Sequence, residues 1–313
     1  MMSFCNDVKY ELARIIPEKE CCQKAELSAL MAVNGSVAEN GKGEIVLHGA
    51  AENAPTARKI YKLLKERYQL ISSVNKKEIK RFKKNHIYEV ETPLSNEKHW
   101  IIEELNLNHG KNEKKPHTGR FLIRKTCCKR AFLRGIFLGR GFVNRPEVDY
   151  HLEIVINDEG LAAFIQNLLD KFELDARQVE RKNNLVIYIK ESEKIVDFLR
   201  VVGASKALLD FENVRIIKSM RNDVNRQVNC ETANLAKIVD ASVRQAELIQ
   251  KLAAEKGIDL LPPQLRQLAE ARLSYPDYSL KELGAILEPP LSKSGVAYRM
   301  KKLEKYIEDL SNH

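Results

Sequence analysis

The sequence predicts an α+β chain: a duplicated α-β-β-α-β-β-α domain followed by an all-α domain. Three observations carry this. A segment at 21–37 recurs without gaps at 127–143, matching strand and helix patterns follow each copy, and residues 260–310 are cut by prolines into three helical segments. At 313 residues the chain exceeds what one core usually serves, so two cores and a connector are expected.

The repeat pairs CCQKAELSALMAVNGSV with CCKRAFLRGIFLGRGFV at an offset of 106 residues. The Cys pair, an Ala, a Leu, the late Gly and the closing Val coincide, and Lys24 matches Arg130. Behind each copy, GEIVLHG (43–49) and HLEIVIN (151–157) read as strands, and APTARKIYKLLKERYQL and EGLAAFIQNLLDKFELD as amphipathic helices. KKNHIYEVE (83–91) and RKNNLVIYIK (181–190) read as polar turns entering β-rich strands, with further helical segments near 95–106 and 191–201. The halves therefore span about 20–106 and 126–205 of a domain at 1–219.

The helices that open the halves carry small residues where a core helix usually carries large ones: Ala29 and Ala32 in the first, Gly135 and Gly139 in the second. Glycine inside a helix costs about 1 kcal/mol against alanine, so a compensating gain is expected. Gly135 and Gly139 stand at i and i+4, which lets two helices cross with their backbones close. Ala29, Gly35, Gly135, Gly139 and Gly141 form the predicted helix-packing set.

The formal net charge of +9 favours a polyanionic partner, because phosphates attract Lys and Arg and release counterions on binding; solubility alone is the plainer explanation. KKEIKRFKKNH (76–86) carries Lys76, Lys77, Lys80, Arg81, Lys83 and Lys84 against one Glu, and 111–130 carries eight basic residues against one Glu. Either stretch suits a ribbon facing phosphates, or a merely solvated charge run. No segment approaches the roughly 20 apolar residues of a membrane helix, and none has the form of a signal peptide. A cytoplasmic protein without a membrane partner is expected. Cys5, Cys21, Cys22, Cys127, Cys128 and Cys230 form no CxxC pattern, and adjacent cysteines chelate one metal poorly. They are read as reduced, mostly buried thiols, with no metal and no cofactor.

From Met220 the texture becomes helical and polar up to Gly257, with Leu235, Ile238, Val239, Val243 and Ala246 at helical spacing. This connector (220–257) precedes a three-helix domain at 258–313. LPPQLRQLAEARLSYP opens on prolines and stops at Pro276; SLKELGAILEPP has Ser279 as its predicted N-cap; SKSGVAYRMKKLEKYIEDL carries a core stripe of Val296, Met300, Leu303, Ile307 and Leu310. Gly284 and Ala285 allow close approach of the last two helices. A short second helix and a basic third one are the pattern of a helix-turn-helix, with the third helix in the major groove of double-stranded DNA. Small three-helix modules also hold proteins together, and the basic face favours DNA. Lys293, Ser294 and Arg299 are predicted to touch base edges, Lys301 and Lys302 phosphates, and Ser292 and Tyr298 complete the set.

The duplicated segments resemble the LAGLIDADG homing endonucleases, through LSALMAVNG (27–35) and LRGIFLGRG (133–141). The resemblance implies two signature helices packed at a pseudo-twofold axis beneath a saddle of β-sheets. In active members the residue before the final glycine is an acid that holds divalent metal for strand cleavage. Here those positions are Asn34 and Arg140, which implies a fold kept for binding and no catalytic residue. Glu39, Glu147 and Asp149 are the nearest replacement acids. MRNDVNRQVNCETANLAKIVDASVRQ and SLKELGAILEPPLSKSGVAYRMKKL further resemble the WhiA family of bacterial regulators. That resemblance implies a sequence-specific, nucleoid-associated regulator linked to sporulation, cell division or chromosome segregation, with another regulatory or division protein as a further partner. An architectural chromosome-organising or division-scaffold role is the alternative.

Overall fold

The computed structural model describes residues 3–41, 43–78, 86–107 and 123–311. They form two compact units, Met1–Lys218 and Ser219–His313. Lys80, Arg81, Lys83, Lys84 and most of the 111–130 stretch lie outside the described residues.

The first unit begins with a helix that the periodicity did not reveal, α1 (Phe4–Arg14). Ser3 caps it by accepting from the Asn6 N–H, and Val8 and Leu12 are fully buried. The first half then runs α2 (Glu20–Asn34), β1 (Gly35–Glu39), β2 (Ile45–Ala51), α3 (Ala54–Tyr68), β3 (Ser73–Glu78), β4 (His86–Leu94) and the short α4 (Trp100–Glu104). The second runs α5 (Thr126–Arg140), β5 (Gly141–Val143), β6 (Leu152–Ile156), α6 (Glu159–Asp170), β7 (Arg177–Arg181), β8 (Asn184–Ile189) and α7 (Ser192–Val202). Both sheets are antiparallel with one strand order, β1-β2-β4-β3 and β5-β6-β8-β7. The duplicated α-β-β-α-β-β-α reading is thus the observed fold. Alternation sets the faces: Leu152, Ile154 and Ile156 of β6 point into the core while Glu153 and Val155 point away.

At the centre α2 and α5 run parallel. Cys22 lies against Cys127 at their N-terminal ends, and the Asn34 side chain meets the Gly139 carbonyl at their C-terminal ends. A Cβ on Gly135 would sit 2.6 Å from the Glu26 carbonyl and 2.8 Å from the Ala29 Cβ; one on Gly139 would sit 2.5 Å from a Val33 methyl. The missing side chains bring the backbones together, and dense packing across the crossing offsets the helical cost of glycine. Gly35 and Gly141 have a different role from the one expected. Their absent Cβ atoms would strike the Met31 and Phe137 carbonyls of their own helices, at 2.5 and 2.7 Å. They permit the tight exit from helix into strand and are not helix-packing residues.

The second unit holds the rest of α8 (Ser205–Glu255), then α9 (Pro263–Ser274), α10 (Leu280–Ile286) and α11 (Lys293–Ser311). Its core joins Val296, Met300, Leu303 and Ile307 to Leu265, Leu268 and Leu283, and draws in Ile249 and Leu252 from upstream of residue 258. By contrast Leu235, Ile238, Val239 and Val243, the apolar series of the connector, are exposed.

Candidate nucleic-acid interface

At the C-terminal end of the helix pair the two positions expected to hold acids carry donors, and each donor is used across the pair. The Asn34 amide donates to the Gly139 carbonyl at 3.2 Å, and the Arg140 guanidinium donates to the Val33 carbonyl through Nε (3.3 Å) and Nη2 (3.2 Å). Val33 and Gly139 are themselves equivalent positions of the repeat, so this is one bond made twice. A divalent ion needs oxygen ligands bearing negative charge, and these groups offer it N–H instead. Glu39, Glu147 and Asp149 are exposed and belong to no group of side chains placed to share a metal.

Deeper in the pair lies a buried charge network that sequence reading missed. Glu26 of α2 accepts two bonds from Arg134 of α5, both 2.9 Å, and is also paired with Lys59 of α3. Lys59 donates to the Leu12 carbonyl of α1 at 2.8 Å. Burial pulls the Lys59 ammonium down to about 8, against the opposing pull of Glu26. Arg134 also donates to the Val202 carbonyl at the end of α7, at 3.2 Å, and its repeat partner Ser28 donates to the Leu105 carbonyl after α4, at 2.9 Å. One repeat position thus ties down the last helix of its half in both copies. Glu26 and Arg134 sat in apolar surroundings in the sequence, and only the crossing places them together.

The outward faces of the two sheets differ in how their charges are used. On the first, Lys77 is paired with Glu89, His48 lies 3.9 Å from Glu91, and Asn75 donates to Glu91. On the second, Glu153 meets His151 at 3.1 Å, Phe142 and Val179 are exposed, and Arg177 and Arg181 of β7 are exposed on the same face and, among the described residues, in no ion pair. Lys76 is exposed on β3. Lys77 is thus paired with a cross-strand carboxylate, while Lys76 is in no ion pair among the described residues.

In the second unit, α10 begins with a full capping box. The Ser279 hydroxyl accepts from the Glu282 N–H, and the Glu282 carboxylate accepts from the Ser279 N–H. These bonds hold the Glu282 carboxyl below its ordinary range. Gly284 lies against the Leu291 carbonyl so closely that a Cβ would overlap it, and Leu291 N–H donates to the Gly284 carbonyl at 2.9 Å. This fixes the turn into α11; Ala285 is exposed and takes no part. Arg272, buried and missed by sequence reading, donates to Ser242 and to the Pro276 and Tyr278 carbonyls, bracing the connection between α9 and α10. Burial lowers its pKa.

Ser292 is the cap of α11: its hydroxyl accepts from the Gly295 N–H at 3.2 Å. Lys293, Ser294, Tyr298, Lys301 and Lys302 are exposed and Arg299 is half-buried beside the core stripe. Ser294, Tyr298 and Lys301 form a ridge opposite that stripe, which Lys305, absent from the predicted set, continues one turn further. Among the described residues none of Lys293, Arg299, Lys301 and Lys302 is held in an ion pair. The arrangement is a helix-turn-helix presenting free cations.

A duplicated LAGLIDADG-like unit followed by a helix-turn-helix unit defines the class of protein. The chain matches the family models described as WhiA N-terminal LAGLIDADG-like domain over residues 20–107, WhiA LAGLIDADG-like domain over 129–221 and WhiA C-terminal HTH domain over 224–307. It belongs to the WhiA family. It is 60% identical over 311 residues to the "Probable cell division protein WhiA" of Syntrophomonas wolfei subsp. wolfei, covering 99% of each chain. It is 46% identical to the protein of that name from Heliobacterium modesticaldum, covering 99% of this chain and 97% of the relative. In fold it is similar to the crystal structure of full-length DUF199/WhiA from Thermatoga maritima, with a TM-score of 0.60 at 24% identity over 99% of this chain and 98% of the other. No helix among the described residues is long and apolar enough to cross a membrane.

Proposed function

We propose that the chain is a sequence-specific DNA-binding regulator without nuclease activity, in which α11 reads double-stranded DNA and the duplicated unit serves as a scaffold. The observation that carries this reading is the exposed face of α11. Among the described residues its cations are unpaired, its ridge is set opposite a well-packed core, and its first turn is capped by Ser292. Lys293, Ser294 and Arg299 are assigned to base edges, Lys301 and Lys302 to phosphates, which position a reader without specifying sequence. The donors at 34 and 140 support loss of cleavage. The relatives' name supports a role in cell division, and the exposed Phe142 and Val179 suit a further protein partner. A cytoplasmic, nucleoid-associated location follows from that assignment.

The test is a salt titration of binding to a selected operator and to random duplex, with Mg²⁺ present, for the full chain and for Arg299→Ala. Operator preference that drops by about 5- to 150-fold in the variant, on intact DNA, supports the reading, since a base-contacting arginine contributes about 1–3 kcal/mol of discrimination. Equal affinity for both duplexes would favour the architectural role; strand cleavage would sink the non-catalytic assignment.

A further inference from the structure

The cysteines set aside in the sequence as unrelated thiols converge in space. The Sγ atoms of Cys21, Cys22, Cys127 and Cys128 all lie within 4.8 Å of one another, and within each adjacent pair the separation is 4.0 Å. The objection to adjacent cysteines holds for one pair. It lapses when two helices each bring a pair, because the four sulfurs then come from two directions and enclose a point between them. A tetrahedral site with metal–sulfur bonds of about 2.3 Å has sulfur–sulfur edges of about 3.8 Å, so the observed cluster needs only a small contraction.

Three further features favour an ion there. Cys22 and Cys128 are buried and Cys21 and Cys127 half-buried, which closes the site on the protein side and leaves an approach from outside. The sulfurs sit on the second and third residues of α2 and α5, whose N-caps, Lys19 and Lys125, supply no side-chain hydrogen bond. At α3, α6 and α10 the cap is Asn53, Asp158 or Ser279, each accepting from the helix. Two parallel helices thus bring two uncapped, partially positive ends together, and a tetrathiolate with net charge of minus two is the kind of group such ends stabilise. Among the described residues no other group of three or more His, Cys, Asp or Glu side chains is placed to share a metal.

We propose that Cys21, Cys22, Cys127 and Cys128 bind one zinc ion as a four-thiolate structural site that pins the two halves of the duplicated unit together. Uptake exchanges four thiol protons for the ion and changes no oxidation state. Soft thiolates in tetrahedral array select zinc over the magnesium and calcium that oxygen ligands hold. Each half supplies two ligands, so neither half completes the site alone, and the ion lies at the end of the helix pair opposite Asn34 and Arg140.

The experiment uses the full-length chain, purified without a histidine tag under reducing conditions. Metal content is measured by mass spectrometry, and cobalt(II) is titrated into the metal-free, reduced protein. The expected result is one zinc per chain and the intense visible bands and sulfur-to-cobalt charge transfer of a tetrahedral thiolate site. Both should persist in Cys5→Ser and Cys230→Ser and be lost in Cys127→Ser, where the half-buried position spares the core; Cys22→Ser should behave likewise if it folds. Folded wild-type protein with four thiols reactive toward Ellman's reagent and no cobalt spectrum would overturn the proposal. A mass loss showing cross-helix disulfides in freshly reduced protein would also overturn it, and iron in place of zinc would overturn the choice of ion.

Discussion

The outward face of the first sheet and the exposed face of α11 are surfaces on which a nucleic acid was expected, and they differ in how their cations are used. On the first sheet Lys77 is spent on Glu89 and Glu91 gathers His48 and Asn75. On α11, among the described residues, no carboxylate is paired with Lys293, Arg299, Lys301 or Lys302. Net charge is a property of the chain, but phosphate affinity depends on cations that nothing else has neutralised. The first sheet spends its described charge on itself; α11 has charge to offer, as β7 does through Arg177 and Arg181.

The separation can be attacked from either side. Glu26→Gln leaves Lys59 and Arg134 buried without their carboxylate, and removing one partner of such a network costs about 3–5 kcal/mol. The urea midpoint of the first unit should fall sharply while operator affinity stays within about twofold at temperatures where both units remain folded; matching losses in both would show that the units are not independent. A pH series isolates Lys59. Its pKa is about 8 in the folded protein and 10.5 when exposed, so the unfolded chain binds more protons between those values and stability rises with pH across that window. Below about pH 8 the cost of burying the charge is fully present. Lys59→Met should remove that rise in urea midpoint, measured against wild type at each pH.

Smaller effects belong to the surfaces themselves. Lys301→Gln should weaken operator and random DNA alike and lower the slope of log affinity against log salt by about one; a loss confined to the operator would reassign Lys301 to a base edge. Glu89→Gln frees the Lys77 ammonium on the sheet face, and neither DNA affinity nor urea midpoint should change measurably. A gain in DNA affinity would show that the face is within reach of phosphates and that only its pairing keeps it silent.

Much of this was legible because the duplication was. A gapless repeat fixes two equivalent helices, and the periodicities behind each copy repeat the same strand and helix order, so the fold followed. The core stripe of α11 and the Ser279 cap were readable because they are local. What escaped reading depends on residues distant in sequence meeting at the crossing. Glu26 with Arg134, the cross-bonds from Asn34 and Arg140, and the four sulfurs are invisible until α2 and α5 are laid side by side. The roles of Gly35 and Gly141 were misread because adjacency to a packing helix resembles membership of its interface. The neutralisation of Lys77 was missed because its partner lies on another strand.

The unlike residues at the helix crossing have an evolutionary consequence. Glu26 meets Arg134, and the repeat equivalents of those two positions are Phe132 and Ser28. Two copies of the first half would set Glu26 against Ser28; two copies of the second would set Arg134 against Phe132. Self-pairing of the second half would strand the buried Arg134 charge, while self-pairing of the first would leave Glu26 with Lys59 alone. At this crossing the halves are thus unlike complements, and the mixed pairing is the one that gives Arg134 a carboxylate.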